Sequence, residues 1–367
     1  MTNLGESSNI ISEAIPCEEI SDPAVLVKTP LVSVKMITYN HEAYIAQAIE
    51  GVLQQKTDFP IELVIGEDCS TDGTREIVFD FQKKYPDIIR VITSDKNVGV
   101  KKNSYRTDKS CRGKYIAYCE GDDYWHHPQK LQKQVDYLEN HPECGLVFSD
   151  FYSFHVNTGI LIKDDSRFGD KTNMILNEPH KLLTAILHYK CPILTCTVCV
   201  RKDLLDPLHD ADPLLYRTER FLMGDTQRWA ELSQVSKLAY LNEPLATHNL
   251  LTESAAHSRD IRKTLSFRKS GAELCLYLAK KYGLPESEVK HFQELVWNHA
   301  LRLAFYENNV ELAEEVKKSK KSLTTKEWVE YWGSKSMFLN YTLRSLVLFR
   351  KWICEAYRQL SKHGRTF

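Results

Sequence analysis

The residues with the most evident chemical capacity are Glu120, Asp122 and Asp123, which close the apolar run Tyr115-Ile116-Ala117-Tyr118-Cys119. Carboxylates crowded at a strand end repel one another unless a cation lies among them. Oxygen donors without His or Cys in the motif suit Mg²⁺ or Mn²⁺, and a diphosphate would complete the coordination. A cation so placed stabilises charge on a leaving phosphate, a contribution on the order of several kcal/mol. Taken alone, the same residues would serve as well for a solvated turn and helix cap. The two readings separate on whether other strand ends meet them.

Two others do. The run Leu31-Val32-Ser33-Val34-Lys35-Met36-Ile37 ends at Thr38-Tyr39-Asn40, and Ile61-Glu62-Leu63-Val64-Ile65 ends at Glu67-Asp68. Each is followed by apolar residues at helical spacing: Ile45, Ala48, Ile49, Val52 and Leu53 with Asn40 as the expected N-cap, then Ile77, Val78 and Phe81. A third strand over 88–93 leads through Asn97-Val98-Gly99 to a basic helical segment whose Lys101, Lys102 and Arg106 face phosphate or, as the favoured expectation, solvent. After the carboxylates, Pro128 is expected in a first helical turn, with Leu131, Val135 and Leu138 on the buried face until His141-Pro142. Strands alternating with helices over 31–140 predict an α/β fold, a mostly parallel sheet covered on both faces. Such sheets bind ligands outside the carboxyl ends of their strands, where the strand order reverses. The three polar ends therefore share one rim.

Beyond residue 144 the pattern is mixed: a strand over 146–148, a polar stretch over 157–172, a helix over 180–188, a helix after Asp225 and a strand over 238–241. Cys191, Cys196 and Cys199 cluster on a strand-like segment, but no fourth ligand has zinc-site spacing, so they read as small core residues. From residue 259 the pattern is helical to the end. The expected organisation is a polar tail over 1–29, a catalytic domain over 30–258 and a helical C-terminal appendage over 259–367.

The 367 residues, 43% apolar and 26% charged, fit a globular protein. A net charge of -1 gives no field that would hold nucleic acid. The first residues lack the basic start and apolar core of a secretory signal, and no run of about 18 apolar residues occurs. Cytoplasmic location with reduced thiols is the expectation. Between Phe338 and Tyr357, apolar residues such as Leu346, Phe349 and Trp352 alternate with Arg344, Arg350 and Lys351. Such a segment packs on protein, or lies on the inner face of an anionic membrane as a peripheral anchor.

Neither G-x-G-x-x-G after the first strand nor G-x-x-x-x-G-K-[ST] is present. Four ordered segments instead resemble family 2 glycosyltransferases: Val34 to Glu42 with Gln54-Gln55, Glu67 to Thr74, Asn97-Val98-Gly99, and Glu120-Gly121-Asp122-Asp123-Tyr124-Trp125 followed by Pro128, Lys130-Leu131 and Gln134. The likeness is close over 31–139 and looser to about 257. It implies a GT-A, nucleotide-diphospho-sugar transferase fold and an inverting, metal-dependent transfer. The sugar would pass from a nucleotide-diphosphate donor to a hydroxyl of a glycan or lipid-linked acceptor, in surface polysaccharide synthesis. By position it implies Thr38, Tyr39 and Glu42 along the nucleoside, Asp68 reading the base, Asp122 near the ribose or sugar, and Asp123 with Asp122 holding Mg²⁺ or Mn²⁺. Met223-Gly224-Asp225-Thr226 resembles the family's acidic motif before its acceptor-side helix, which makes Asp225 the general base. His248 and His257 fall where a contact to the diphosphate is expected, or simply a surface histidine.

Two other functions share parts of this pattern. A sugar nucleotidyltransferase uses a related layout, but wants a glycine-rich basic loop where Tyr39-Asn40-His41-Glu42 stands. A non-catalytic nucleotide-sugar binding protein would not need Asp225.

Overall fold

The computed structural model describes residues 15–163, 175, 176, 178–191, 193–251 and 258–342. These fall into two compact units, divided between residues 252 and 253.

The first unit opens with β1 (Glu18–Ile20), β2 (Val32–Thr38), α1 (Ile45–Leu53), β3 (Ile61–Glu67) and α2 (Thr74–Lys84). It continues with β4 (Ile89–Thr93), α3 (Val100–Ser110), β5 (Tyr115–Tyr118) and α4 (Lys130–Asn140). Then come β6 (Cys144–His155), β7 (Ile160–Lys163), α5 (Pro179–Leu187), β8 (Val198–Arg201), α6 (Lys202–Ala211), α7 (Pro213–Tyr216), α8 (Thr226–Val235) and β9 (Lys237–Leu250). One mixed sheet holds all nine strands in the order β1-β4-β3-β2-β5-β8-β6-β7, with β9 also on β6. The β2–β3, β3–β4, β2–β5 and β6–β9 ladders are parallel, and they contain most of the paired residues. The sheet is therefore α/β and mostly parallel, as expected.

Strand β2 is the axis. Val32, Val34 and Met36 are fully buried, and the face of α1 made by Ile45, Ala48, Ile49 and Val52 is fully buried in the same core. The chain steps outward from β2 through β3 to β4, then returns to β5 on the other side of β2. The strand order therefore reverses between β2 and β5, and the crevice outside their carboxyl ends is where such a sheet takes a ligand.

Four local expectations are corrected. Asn40 is not the N-cap of α1, whose N-cap position is Tyr44 without a side-chain bond. Asn40 adopts a left-handed conformation (φ 57°) and its Oδ1 accepts from the Thr71 N–H at 2.8 Å, lacing the β2 rim to the β3 rim. Pro128 precedes α4, whose N-cap is Gln129. The N-terminal segment is not simply a tail: β1 pairs antiparallel with β4, and Glu19 meets the Arg90 guanidinium at 2.8 Å. Nor are the basic residues of α3 all solvated, because Arg106 is buried and donates to the Glu67 carbonyl at 2.9 Å and to Ser94 Oγ at 2.8 Å. Cys191, Cys196 and Cys199 are buried free thiols, as a core role requires.

The second unit is helical: α9 (Ile261–Lys281), α10 (Glu286–Glu307), α11 (Val310–Ser319) and α12 (Thr325–Lys335). Ala300, Leu301, Ala304, Ala313, Val316, Leu323 and Tyr331 form its own apolar cluster. No helix among the described residues is long and apolar enough to cross a membrane. His257 and residues 343–357, singled out above, lie outside the described residues.

Candidate active site

The rim begins with the turn after β3. Glu67 is fully buried and its carboxylate accepts from the N–H groups of Cys69 and Ser70 (3.2 and 2.6 Å) and from Thr93 Oγ1 (2.9 Å), so it shapes the turn rather than facing a ligand. Asp68 does the same for the next loop: its two oxygens accept from the Val98 and Gly99 N–H groups at 2.8 and 3.0 Å. Burial raises its pKa, and the Val98 amide and the Arg106 guanidinium offset part of that rise. Gly99 takes φ 87° and ψ 153°, a conformation essentially reserved for glycine. Glu42 braces the β2 side by accepting from the Gly73 N–H at 3.1 Å. Thr38 is buried, whereas Tyr39 stands exposed on the rim.

Past β5 the backbone continues along β2, with the Gly121 N–H on the Ile37 carbonyl at 3.1 Å. A Cβ at Gly121 would lie 2.7 Å from Thr38 Oγ1 and 2.8 Å from Thr38 Cβ, so only glycine lets the two strand ends approach. Asp123 Oδ1 accepts from the Asn249 N–H at 2.8 Å and lies 3.0 Å from His248 Nδ1. Burial alone would lower the His248 pKa, but the Asp123 charge overrides it and, with Asp122 and Glu120, lifts it to about 9. Asn249 Nδ2 donates to the Asp122 carbonyl at 2.6 Å, and Tyr124 and Thr247 exchange backbone bonds, so β9 is stitched to the carboxylate loop. Burial and the Asp123 charge raise the Asp122 pKa, while His41, 4.0 Å away, and His248 hold it back. Glu120 is pushed up to about 8 by burial and by Asp123 and Asp122, and its buried Oε2 has no hydrogen-bond partner among the described residues. Lys130 and Gln134, quoted with the same motif, lie beneath it: Lys130 Nζ stands 4.1 Å from the centre of the Trp125 ring, and Gln134 binds the Thr197 carbonyl at 2.7 Å.

Asp225 lies at the start of α8. It is the N-cap, its Oδ1 accepting from the Thr226 N–H at 2.6 Å, while Oδ2 has only Thr195 Oγ1 at 3.5 Å among the described residues. Its charge adds to the rise at Glu120 and counters the fall at Lys101, which places it within electrostatic reach of both. Lys101 is not in solvent as expected: its Nζ donates to the Met223 carbonyl, and burial and the Arg228 charge bring its pKa down to about 7. Lys102, 3.5 Å from Glu219, keeps a partly exposed head.

The rim thus gathers Thr38, Tyr39, Asp122 and Asp123, with Glu42 and Asp68 as braces of its loops, and Asp225 stands within electrostatic reach of Glu120. Sequence reasoning missed Asn249 and the buried ion cluster of Lys35, Asp108 and Arg228. A charge in the middle of the apolar run Val32-Ser33-Val34-Lys35-Met36-Ile37 was the available signal for the cluster. Among the described residues, no group of three or more His, Cys, Asp or Glu could by itself hold a metal ion. Two carboxylates completed by substrate phosphates are nevertheless a usual Mg²⁺ arrangement, and beside them the buried Glu120 Oε2 is a polar atom without a hydrogen-bond partner among the described residues.

Residues 33–206 match the sequence profile of glycosyl transferase family 2. Over those residues the chain resembles that family. The chain is 45% identical over 116 residues to an uncharacterized protein, Rv1520, of Mycobacterium tuberculosis, covering 32% of this chain and 34% of that one. It thus spans about a third of the length of the mycobacterial relatives it matches. It is 27% identical over 232 residues to a putative teichuronic acid biosynthesis glycosyltransferase, TuaG, of Bacillus subtilis, covering 63% of this chain and 83% of that one. Among solved structures it resembles the mannosyltransferase PcManGT of Pyrobaculum calidifontis in complex with GDP-Man and Mn²⁺, at 15% identity and a TM-score of 0.49, covering 86% and 87% of the two chains.

Proposed function

We propose that the chain is an inverting glycosyltransferase of family 2. It would move a sugar from a nucleotide-diphosphate donor to a hydroxyl of a glycan or lipid-linked acceptor, in surface polysaccharide synthesis. Supporting it, Asp122 and Asp123 follow β5 at the point where strand order reverses, and the Asp225 charge reaches Glu120 beside them. The catalytic domain is taken as 30–258 and the helical region as 259–367.

Thr38 and the exposed Tyr39 ring line the nucleoside, with Glu42 and Asp68 fixing the loops around it. Asp122 would lie near the ribose or sugar, and Asp123 and Asp122 would hold Mg²⁺ or Mn²⁺, which when bound would stabilise charge on the leaving diphosphate. Asp225 takes the proton of the acceptor hydroxyl as its oxygen bonds to the anomeric carbon and the bond to the diphosphate breaks. A single displacement inverts that carbon.

Incubation with a panel of UDP-, GDP- and dTDP-sugars and Mn²⁺ tests this reading. The expected result is release of nucleoside diphosphate that EDTA abolishes, with the first sugar anomer seen by NMR opposite to that of the donor. Retention of configuration, or no release from any donor, contradicts it.

A further inference from the structure

Helix α3 grips the chain on both sides of Asp225. Near its start, Lys101 Nζ donates to the carbonyl of Met223, two residues before Asp225, and Gln227 Nε2 reaches the same carbonyl at 2.9 Å. Near its end, Asp108 Oδ2 accepts from Arg228 Nη2 at 2.7 Å, three residues after Asp225. Lys35 Nζ lies 2.7 Å from the same oxygen, and Ser104 Oγ meets Lys35 at 2.7 Å and Arg228 at 3.2 Å. Lys101, Ser104 and Asp108 stand three and four residues apart, which puts them on one helix face. Asp108, Lys35 and Arg228 are all buried.

The same helix is anchored to the donor side of the rim. The Val98 and Gly99 N–H groups at its entry sit on Asp68, Asn103 Nδ2 donates to the Gly66 carbonyl at 2.7 Å, and Arg106 Nη2 to that of Glu67 at 2.9 Å. Side chains on adjoining faces of one rigid helix therefore join the end of β3 to residues 223–228.

We propose that Lys101 and Asp108 are positioning residues: through α3 they set Asp225 at a fixed place relative to the donor rim. The proposal rests on Asp225 being the base. A base displaced by about 1 Å can lose roughly a hundredfold in rate, so loss of either grip lowers turnover while leaving the donor side bound.

The test is steady-state nucleoside diphosphate release from the donor identified in the panel, on the full chain, with donor Kd and Tm measured alongside. Lys101→Met and Asp108→Asn are made alone, and Lys101→Met also in the Asp225→Asn background. Lys101→Met is expected to lower kcat roughly tenfold to a hundredfold with Kd and Tm unchanged, and Lys101→Arg to restore part of it. In the Asp225→Asn background Lys101→Met is expected to cost nothing further, since the group it places is gone. Lys102→Met, whose side chain is partly exposed beside Glu219, should match wild type. Wild-type kcat in Lys101→Met, a change in Kd with kcat kept, or an equal loss in both backgrounds overturns the proposal while the base assignment stands. Wild-type turnover by Asp225→Asn itself removes the base, and the positioning role with it. If Asp108→Asn does not fold, Lys101→Met decides, because it keeps the aliphatic stem and leaves no new buried charge.

Discussion

Both oxygens of Asp123 lie within 3.2 Å of His248 Nδ1, so a carboxylate read from sequence as awaiting a cation already has an imidazolium beside it. Glu120 Oε2 has no hydrogen-bond partner among the described residues, and burial with the Asp123 and Asp122 charges raises its pKa. Asp122 and Asp123 were legible as candidates because acidic residues at a strand end leave a local signature, and Asp225 only through its resemblance to the family's acidic motif. Motif spacing could not show that Asp68 is spent on two backbone amides, since that depends on where residues 97–99 fold back. Gly121 shows the same limit: a glycine between carboxylates is legible, but its need comes from Thr38 on another strand. Gly121→Ala forces its Cβ against Thr38 Cβ, which sits on β2 and has little room to give. Overpacking of this kind costs about 1–3 kcal/mol, and a Tm lowered by several degrees with reduced turnover is expected. An unchanged Tm would show that the strand ends can part.

At the scale of elements, the alternating strands and helices over 31–140 were legible because each carries its own period. Strand β9 was legible only in part. Expected over 238–241, it runs Lys237–Leu250 through Asn242, Glu243 and Pro244, residues that break alternation and are held by pairing with β6 across register shifts. β1 is three residues, two of them Glu, and owes its place to β4 and Arg90. The join between β2, α3 and α8 is electrostatic. Burial would raise the Asp108 pKa, but Arg228 and Lys35 outweigh it and bring it down to about 2. Lys35 moves the other way from a usual paired lysine: burial and the Arg228 charge outweigh Asp108, and its pKa falls to about 8. The signs differ accordingly. The Asp108 contribution is full above its unfolded value and is lost as pH falls from about 4 towards 2, while the Lys35 penalty is relieved as pH rises from about 8 towards 10.5. Urea midpoints should therefore drop below pH 4 less steeply in Asp108→Asn than in wild type. Equal slopes would mean the cluster adds nothing to acid stability.

At the scale of the whole molecule, two units with separate apolar cores agree with a helical region following an α/β domain. Composition could announce both but not the exact division, because no run of glycine, proline or serine marks it. The basic apolar segment beyond Phe338 has a direct test. Flotation of the full chain with phosphatidylglycerol vesicles, lost at high salt, is the result expected of a membrane anchor, and no flotation assigns the segment to packing. The central claim concerns how two halves of one rim divide the reaction: donor held by the ends of β2 and β5, proton taken by Asp225. The most direct measurement is donor Kd and turnover for Asp225→Asn. A loss of roughly a hundredfold or more in kcat, on the usual scale of general-base effects, with donor Kd unchanged, is what the account predicts, and wild-type turnover by that variant would contradict it.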